Sequence, residues 1–257
     1  MKRIYYTLIA IIITTITFQG CYSLKKSEDY YGIKTEEIKN VVFILDISGS
    51  MENIAEKNVK GEVINNATNY AADKASSAVS KTIGGEAGNI AGNLLNKKVK
   101  KSVTKLQKAR KKLIPAIKGL SETTMFNVIV FENGVKVWRK KLVPATKTNK
   151  LEAQAYIEAL KAGGGTNIYD AVKTAFDFAG NGAKDSTITL NVETIFLLSD
   201  GAPSAGPVKN PNDIRKDIKT WNPLQRIKIH SIGLGEDCDE EFMRGLAEDN
   251  GGIYVDK

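Results

Sequence analysis

Five short runs of β-branched and apolar residues, each too continuous to leave one face in water, constrain this chain more than any other feature. Val41-Val42-Phe43-Ile44-Leu45 is the first; Phe126–Phe131, Thr194–Leu198, Ile227–Ile232 and, more weakly, Ile253–Val255 follow. A strand without polar alternation is one buried on both faces, as in a parallel sheet covered by helices. Stretches at helical spacing separate several of these runs. Leu106, Ala109, Leu113, Ala116, Ile117 and Leu120 make one set, and Ala155, Ile157, Ala159 and Leu160 another. Ile168, Val172, Ala175 and Phe176 follow, then Phe242, Leu246 and Ala247. Strands alternating with helices predict an α/β fold: a doubly wound, mostly parallel sheet with helices on both faces. The turn Glu132-Asn133-Gly134 before Lys136-Val137-Trp138 predicts one antiparallel edge strand.

One stretch breaks the alternation. Residues from about 52 to 101, between the first strand and its helix, are rich in Ala, Ser, Asn, Gly and Lys. Ala67, Ala71, Ala75, Val79 and Ile83 fall at four-residue steps, and Gly84, Gly88 and Gly92 keep the same step, which predicts a helical insertion. Small residues on one helix face let two backbones approach closely, so self-association is one reading and packing on the main domain the other. Asp73, Lys74, Lys81 and Glu86 interrupt every window long enough to cross a membrane. The formal charge of +8 is concentrated in residues 51–118, which carry 14 Lys or Arg against 5 Asp or Glu. Nine basic residues and no acid lie between Lys97 and Lys112. No aromatic side chain is interleaved there for base stacking, so nucleic acid is not expected as a partner and a solvated helix face is.

The N-terminus reads as an export signal. Lys2 and Arg3 precede an uncharged run from Ile4 to Phe18, shorter than the roughly 20 residues a spanning helix needs. The run ends in Gln19-Gly20-Cys21, which resembles a bacterial lipoprotein signal, although Phe18 replaces the usual aliphatic residue. The resemblance implies a signal peptide over 1–20 and a lipid on Cys21, followed by a tether over 21–40 and a folded domain over 41–257. It places the protein outside the cytoplasm, lipid-anchored in a bacterial cell envelope and facing either the periplasm or the surface. With Cys21 lipidated, Cys238 is the one remaining thiol and no intramolecular disulfide can form.

Function in an open parallel sheet is expected just past the carboxyl ends of its strands. The first strand runs into Asp46-Ile47-Ser48-Gly49-Ser50, whose alternating polar side chains can turn to one side, with Gly49 allowing a tight bend. Gly163-Gly164-Gly165-Thr166-Asn167 opens a later helix, and Ile195–Leu198 ends in Ser199-Asp200-Gly201. Hydroxyls of Ser48, Ser50 and Thr166 with carboxylates of Asp46 and Asp200 form a set of hard oxygen donors. Such donors suit Mg²⁺, with Mn²⁺ or Ca²⁺ as alternatives.

These three fragments, in this order and each after the expected element, resemble the metal-ion-dependent adhesion site of von Willebrand factor A-type domains, a Rossmann-like fold. The closing Leu246-Ala247-Glu248-Asp249-Asn250-Gly251-Gly252-Ile253-Tyr254 is similar to that family's last helix and strand. The resemblance implies that Ser48, Ser50 and Thr166 touch the metal directly. It implies that Asp46 and Asp200 act through water, and that a protein partner supplies an acidic side chain. A non-enzymatic, cation-dependent adhesion or assembly module is therefore expected. The alternative is a scaffold that self-assembles or binds a membrane surface through the basic insertion. A metal-dependent hydrolase is the rival from another class. Its one available imidazole, His230, falls inside a predicted strand, and Gly163-Gly164-Gly165-Thr166 lacks the lysine of a phosphate-binding loop.

Overall fold

The computed structural model describes residues 30–33, 38–53, 55 and 103–257. Seven strands are described: β1 (Asn40–Asp46), β2 (Met125–Phe131), β3 (Val135–Val137), β4 (Val143–Pro144), β5 (Thr194–Ser199), β6 (Lys228–Gly233) and β7 (Tyr254–Asp256). They form one sheet in the order β3-β2-β1-β5-β6-β7, with β4 also on β2. Every pairing from β2 through β7 across the centre is parallel, with Phe43 opposite both Val128 and Phe196. The chain steps to one side of β1 for β2 and to the other side for β5. The carboxyl ends of β1 and β5 therefore flank the topological switch, where doubly wound sheets open a crevice.

The antiparallel edge comes in two pieces where the sequence predicts one strand. β3 pairs with Ile129–Phe131, and β4 pairs with Met125 and Phe126. Between them the fully buried Asn127 replaces the ladder. Its Nδ2 donates to the carbonyls of Arg139 and Lys141 (2.8 and 3.3 Å), and its Oδ1 accepts the N–H of Arg139 (3.2 Å).

Five helices are described: α1 (Lys105–Gly119), α2 (Lys147–Ala159), α3 (Ile168–Ala179), α4 (Pro211–Trp221) and α5 (Glu240–Asp249). α1, α3 and α5 sit where the apolar spacing predicts; α2 overlaps its predicted set only at its C-terminal half and buries Ala153 and Ile157, with Ala155 and Ala159 exposed and Leu160 as its cap. The sequence reading passed over α4, although Ile214 and Ile218 stand four residues apart on its buried face and the cap Asn210 precedes Pro211. Both faces of the sheet are covered. Phe43, Leu45, Val128 and Val130 pack with Leu106, Leu113, Ile117 and Ile157 of α1 and α2. Val42, Ile44, Ile195 and Leu197 pack with α3, α4 and α5. Tyr30 and Ile33, which the sequence reading assigns to the tether, join the first layer, with the Tyr30 ring edge-on to Phe43 and Phe196.

The insertion leaves and returns at one point. The Ala55 N–H donates to the Val103 carbonyl (3.1 Å) and the Lys105 N–H donates to the Asn53 carbonyl (2.9 Å), the pattern of an antiparallel pair. α1 then begins with a capping box: the Thr104 hydroxyl accepts the Gln107 N–H, and the Gln107 side chain accepts the Thr104 N–H. The expected signal segment, Cys21 and the insertion, apart from Glu52, Asn53 and Ala55, lie outside the described residues. Among the described residues no helix is long and apolar enough to cross a membrane.

Candidate metal centre

Asp46 ends β1 and is fully buried. Its Oδ1 accepts the Ser48 N–H at 2.7 Å, and its Oδ2 accepts the Ser199 hydroxyl at 2.5 Å. Burial pushes its carboxyl up to about 6 against the pull of these hydrogen bonds, and the nearby Asp200 charge pushes the same way. Ser48 is buried and its Oγ lies 3.0 Å from the Oγ of Ser50, which stands in the single turn Gly49–Glu52. Two hydroxyls at this separation can share one ligand, and Asp46 fixes the backbone that carries the first of them.

The Gly-rich loop is stitched to this one. The Gly49 N–H donates to the Gly164 carbonyl (2.9 Å), and the Gly163 N–H donates to the Ile47 carbonyl (2.8 Å). A Cβ at Gly49 would stand 3.3 Å from the Gly164 carbonyl oxygen. Gly49 is favoured by this close approach of two loops, since a Cβ would push the Gly164 carbonyl back by a few tenths of an ångström; its own φ is not positive, so the sharp bend expected of it is not the reason. Thr166 follows, buried, immediately before the α3 cap Asn167. Its N–H donates to the Ser204 hydroxyl (2.9 Å) and its carbonyl accepts the Ser204 N–H (3.1 Å), which ties it to the loop after β5.

Asp200 is buried at the end of β5, one residue beyond the Ser199 that holds Asp46. All five sequence-predicted residues thus lie on three interlocked loops at the carboxyl edge of β1 and β5. Direct side-chain contact links Ser48 with Ser50. Asp200 is engaged instead by a residue that the sequence reading missed. The Nζ of Lys105 lies 3.1 Å from Asp200 Oδ2 and 2.6 Å from Asp237 Oδ1, and its side chain is 1% exposed. Burial pulls this ammonium down, but the hydrogen bond to Asp237 and the charge of Asp200 outweigh it, so its pKa is raised and it stays charged.

The sequence reading treats the whole basic run as a solvated face. Lys105 departs from that because it lies four residues before Ala109 and eight before Leu113, on the apolar stripe of α1. That spacing was the available signal. Ser199 could have been found as the in-facing neighbour of Asp200.

The donor set has the chemistry of a hard-cation site. Among the described residues no three His, Cys, Asp or Glu side chains gather, so a site here must use hydroxyls alongside its carboxylates. Ser48, Ser50, Thr166, Asp46 and Asp200 supply that mixture, which fits Mg²⁺ or a similar dication and does not fit a thiophilic metal.

The chain's one imidazole stands away from Ser48 and Ser50. His230 faces Phe43 across β5, through Phe196, about five residues back from Ser48, a separation of roughly 16 Å along the strands. Burial holds the Cys238 thiol up to about 11, far from the thiolate that reactivity needs.

A doubly wound α/β domain with an oxygen-lined crevice at its switch point is the class that this fold and site define. The model for the von Willebrand factor type A domain matches residues 98–256, more than half of the chain. The chain belongs to that family. The match begins at the end of the insertion, so β1 with Asp46, Ser48 and Ser50 precedes it. Human inter-alpha-trypsin inhibitor heavy chain H4 is 34% identical over 150 residues, covering 58% of this chain and 16% of that protein. The chain thus spans about a sixth of the length of the curated relatives it matches. An aerotolerance-related membrane protein from Bacteroides fragilis has the same fold, with a TM-score of 0.52 at 14% identity over 85% of this chain and 90% of that one. The PilB minor pilin from Streptococcus sanguinis gives 0.50 at 15% identity, over 88% and 59%.

Proposed function

We propose that this domain is a non-enzymatic, divalent-cation-dependent module that binds a protein partner, tethered to a bacterial membrane through Cys21. The observation that carries the reading is the interlocking of three loops, which brings Asp46, the Ser48–Ser50 hydroxyl pair, Thr166 and Asp200 to one edge of the sheet. Ser48, Ser50 and Thr166 would hold the cation, and Asp46 and Asp200 would balance its charge. Bound there, the ion supplies an electrophilic position that a partner's Asp or Glu can fill, so binding needs no reacting group in the protein. Mg²⁺ is the ion that the donor set favours, and Mn²⁺ suits the same donors. The family supports a protein-interaction role, and names among the relatives and fold neighbours include an inter-alpha-trypsin inhibitor heavy chain and a minor pilin.

The lipid anchor rests on Gln19-Gly20-Cys21 after an uncharged run, and the envelope location follows from it. The test is calorimetric titration of Mg²⁺ and Mn²⁺ into the purified protein. Saturable binding is expected in the wild type and at least tenfold weaker binding in Ser48→Ala and Asp200→Ala. A folded wild type without saturable binding would sink the reading.

A further inference from the structure

The motif accounts for five side chains and leaves out a sixth that is equally well built into the crevice. Lys105 reaches Asp200 from the first residue of α1 with its whole side chain buried. Room for it is made by Gly235, at φ +91, where a Cβ would come within 2.5 Å of the lysine Cε. At the tip the ammonium is divided between two carboxylates, at 2.6 Å from Asp237 and 3.1 Å from Asp200. Asp237 is largely exposed, whereas Asp200 is buried among the predicted metal residues.

Charge counting gives this contact its consequence. Asp46 and Asp200 together match one dication, so a fixed positive charge on Asp200 duplicates part of what the metal would supply. Two cations that share one buried carboxylate repel each other, and in a partly dry site that repulsion is substantial. Resting on the cation-binding reading above, we infer that Lys105 is a tethered competitor for the metal. It shares Asp200 with the ion and holds the site's affinity below what the five-residue motif alone would give.

Asp237 is the counterweight. It draws the ammonium away from Asp200, and it is the partner on which the lysine settles when the ion takes Asp200. The same lysine closes the base of the insertion through its N–H bond to Asn53. The position of the competing charge is therefore set by the clasp through which the chain leaves and re-enters the fold.

Two substitutions with opposite expected signs test this. Calorimetric titration of Mg²⁺ into the full-length protein, kept in a mild non-ionic detergent, would compare the wild type with Lys105→Met and Asp237→Asn. Lys105→Met removes the competing charge and keeps the buried stem, so the Kd for Mg²⁺ is expected to fall about tenfold, the size of a like-charge effect in a partly buried site. Asp237→Asn leaves the ammonium to Asp200 alone, so the Kd is expected to rise several-fold. The Mg²⁺-induced rise in melting temperature should order the three proteins the same way.

Weaker or unchanged binding in Lys105→Met, with the wild type binding normally, overturns the inference and makes the lysine a support of the site. Weakening in both variants has the same meaning, because structural damage moves both in one direction. Absence of saturable binding in the wild type overturns the cation reading itself, and with it this inference, before either variant is considered.

Discussion

The His230 ring stacks on Phe196 at 5.1 Å, and its Nδ1 accepts the Ile253 N–H at 3.0 Å. Burial, with Lys228 adding its charge, lowers its pKa to about 4. The folded protein thus keeps the imidazole neutral where the unfolded chain, titrating near 6.5, has already taken up a proton. Between those values stability falls as pH falls, by up to about 1.4 kcal/mol per unit from this group. Asp46 works in the opposite sense over much of the same window. Its pKa of about 6 favours the folded state at low pH, and that advantage is lost as pH rises from about 4 to 6. Wild-type stability is therefore expected to vary little between pH 4 and 6.5. Comparison with His230→Gln isolates the imidazole: the variant should gain on the wild type by about 1 kcal/mol for each unit of acidification below 6.5. Urea denaturation at a series of pH values would check it, and parallel curves for the two proteins would contradict it.

Asn127 carries more of its element than any residue of β3 or β4 does. Its side chain bonds to the Arg139 N–H and carbonyl and to the Lys141 carbonyl, and its Oδ1 also accepts the Val128 N–H at 2.8 Å. Asn127→Leu would strand several backbone groups at once in a half-buried edge. A loss of about 3 kcal/mol in denaturant unfolding with an unchanged slope is expected, since each unsatisfied buried group costs about 1–3 kcal/mol. A loss under about 1 kcal/mol would show that water replaces the asparagine there. This arrangement explains what the sequence made legible at the element level. Period and apolar content announce elements that bury a whole face, so β1, β2, β5, β6 and the helices α1, α3 and α5 were readable, while α2, which buries only Ala153 and Ile157, was met only at its C-terminal half. β4 is only Val143–Pro144 and offers no period, whereas α4 carries Ile214 and Ile218 four residues apart in an otherwise charged sequence, a signal the sequence reading passed over. Lys105 was hidden for a related reason: composition made it one of nine basic residues, and only its register on α1 marks it as buried.

At the scale of the molecule, the switch-point topology and the meeting of the loops that carry Asp46, Ser48, Ser50, Thr166 and Asp200 were readable because sheet order fixes which loops meet. Which charges then compete inside the crevice depends on side-chain reach, which spacing does not encode. The insertion is the remaining departure from simple alternation, and its base shows how the fold tolerates it. The bonds between Ala55 and Val103 and between Lys105 and Asn53 hold the two ends as an antiparallel pair, with backbones about 5 Å apart. A short turn can bridge that distance as well as a long excursion can.

Replacing residues 56–102 with about four Gly and Ser residues should therefore leave the domain folded. Closing the smaller loop costs about 2 kcal/mol less entropy, so the shortened protein is expected to melt at the same or a higher temperature. Lys105 keeps its bond to Asn53 in this variant, so Mg²⁺ affinity should stay within about threefold of the wild type. Failure to fold would mean that the excursion completes the core. A folded variant with sharply altered Mg²⁺ affinity would mean that the excursion, and not the clasp alone, positions the charges of the crevice.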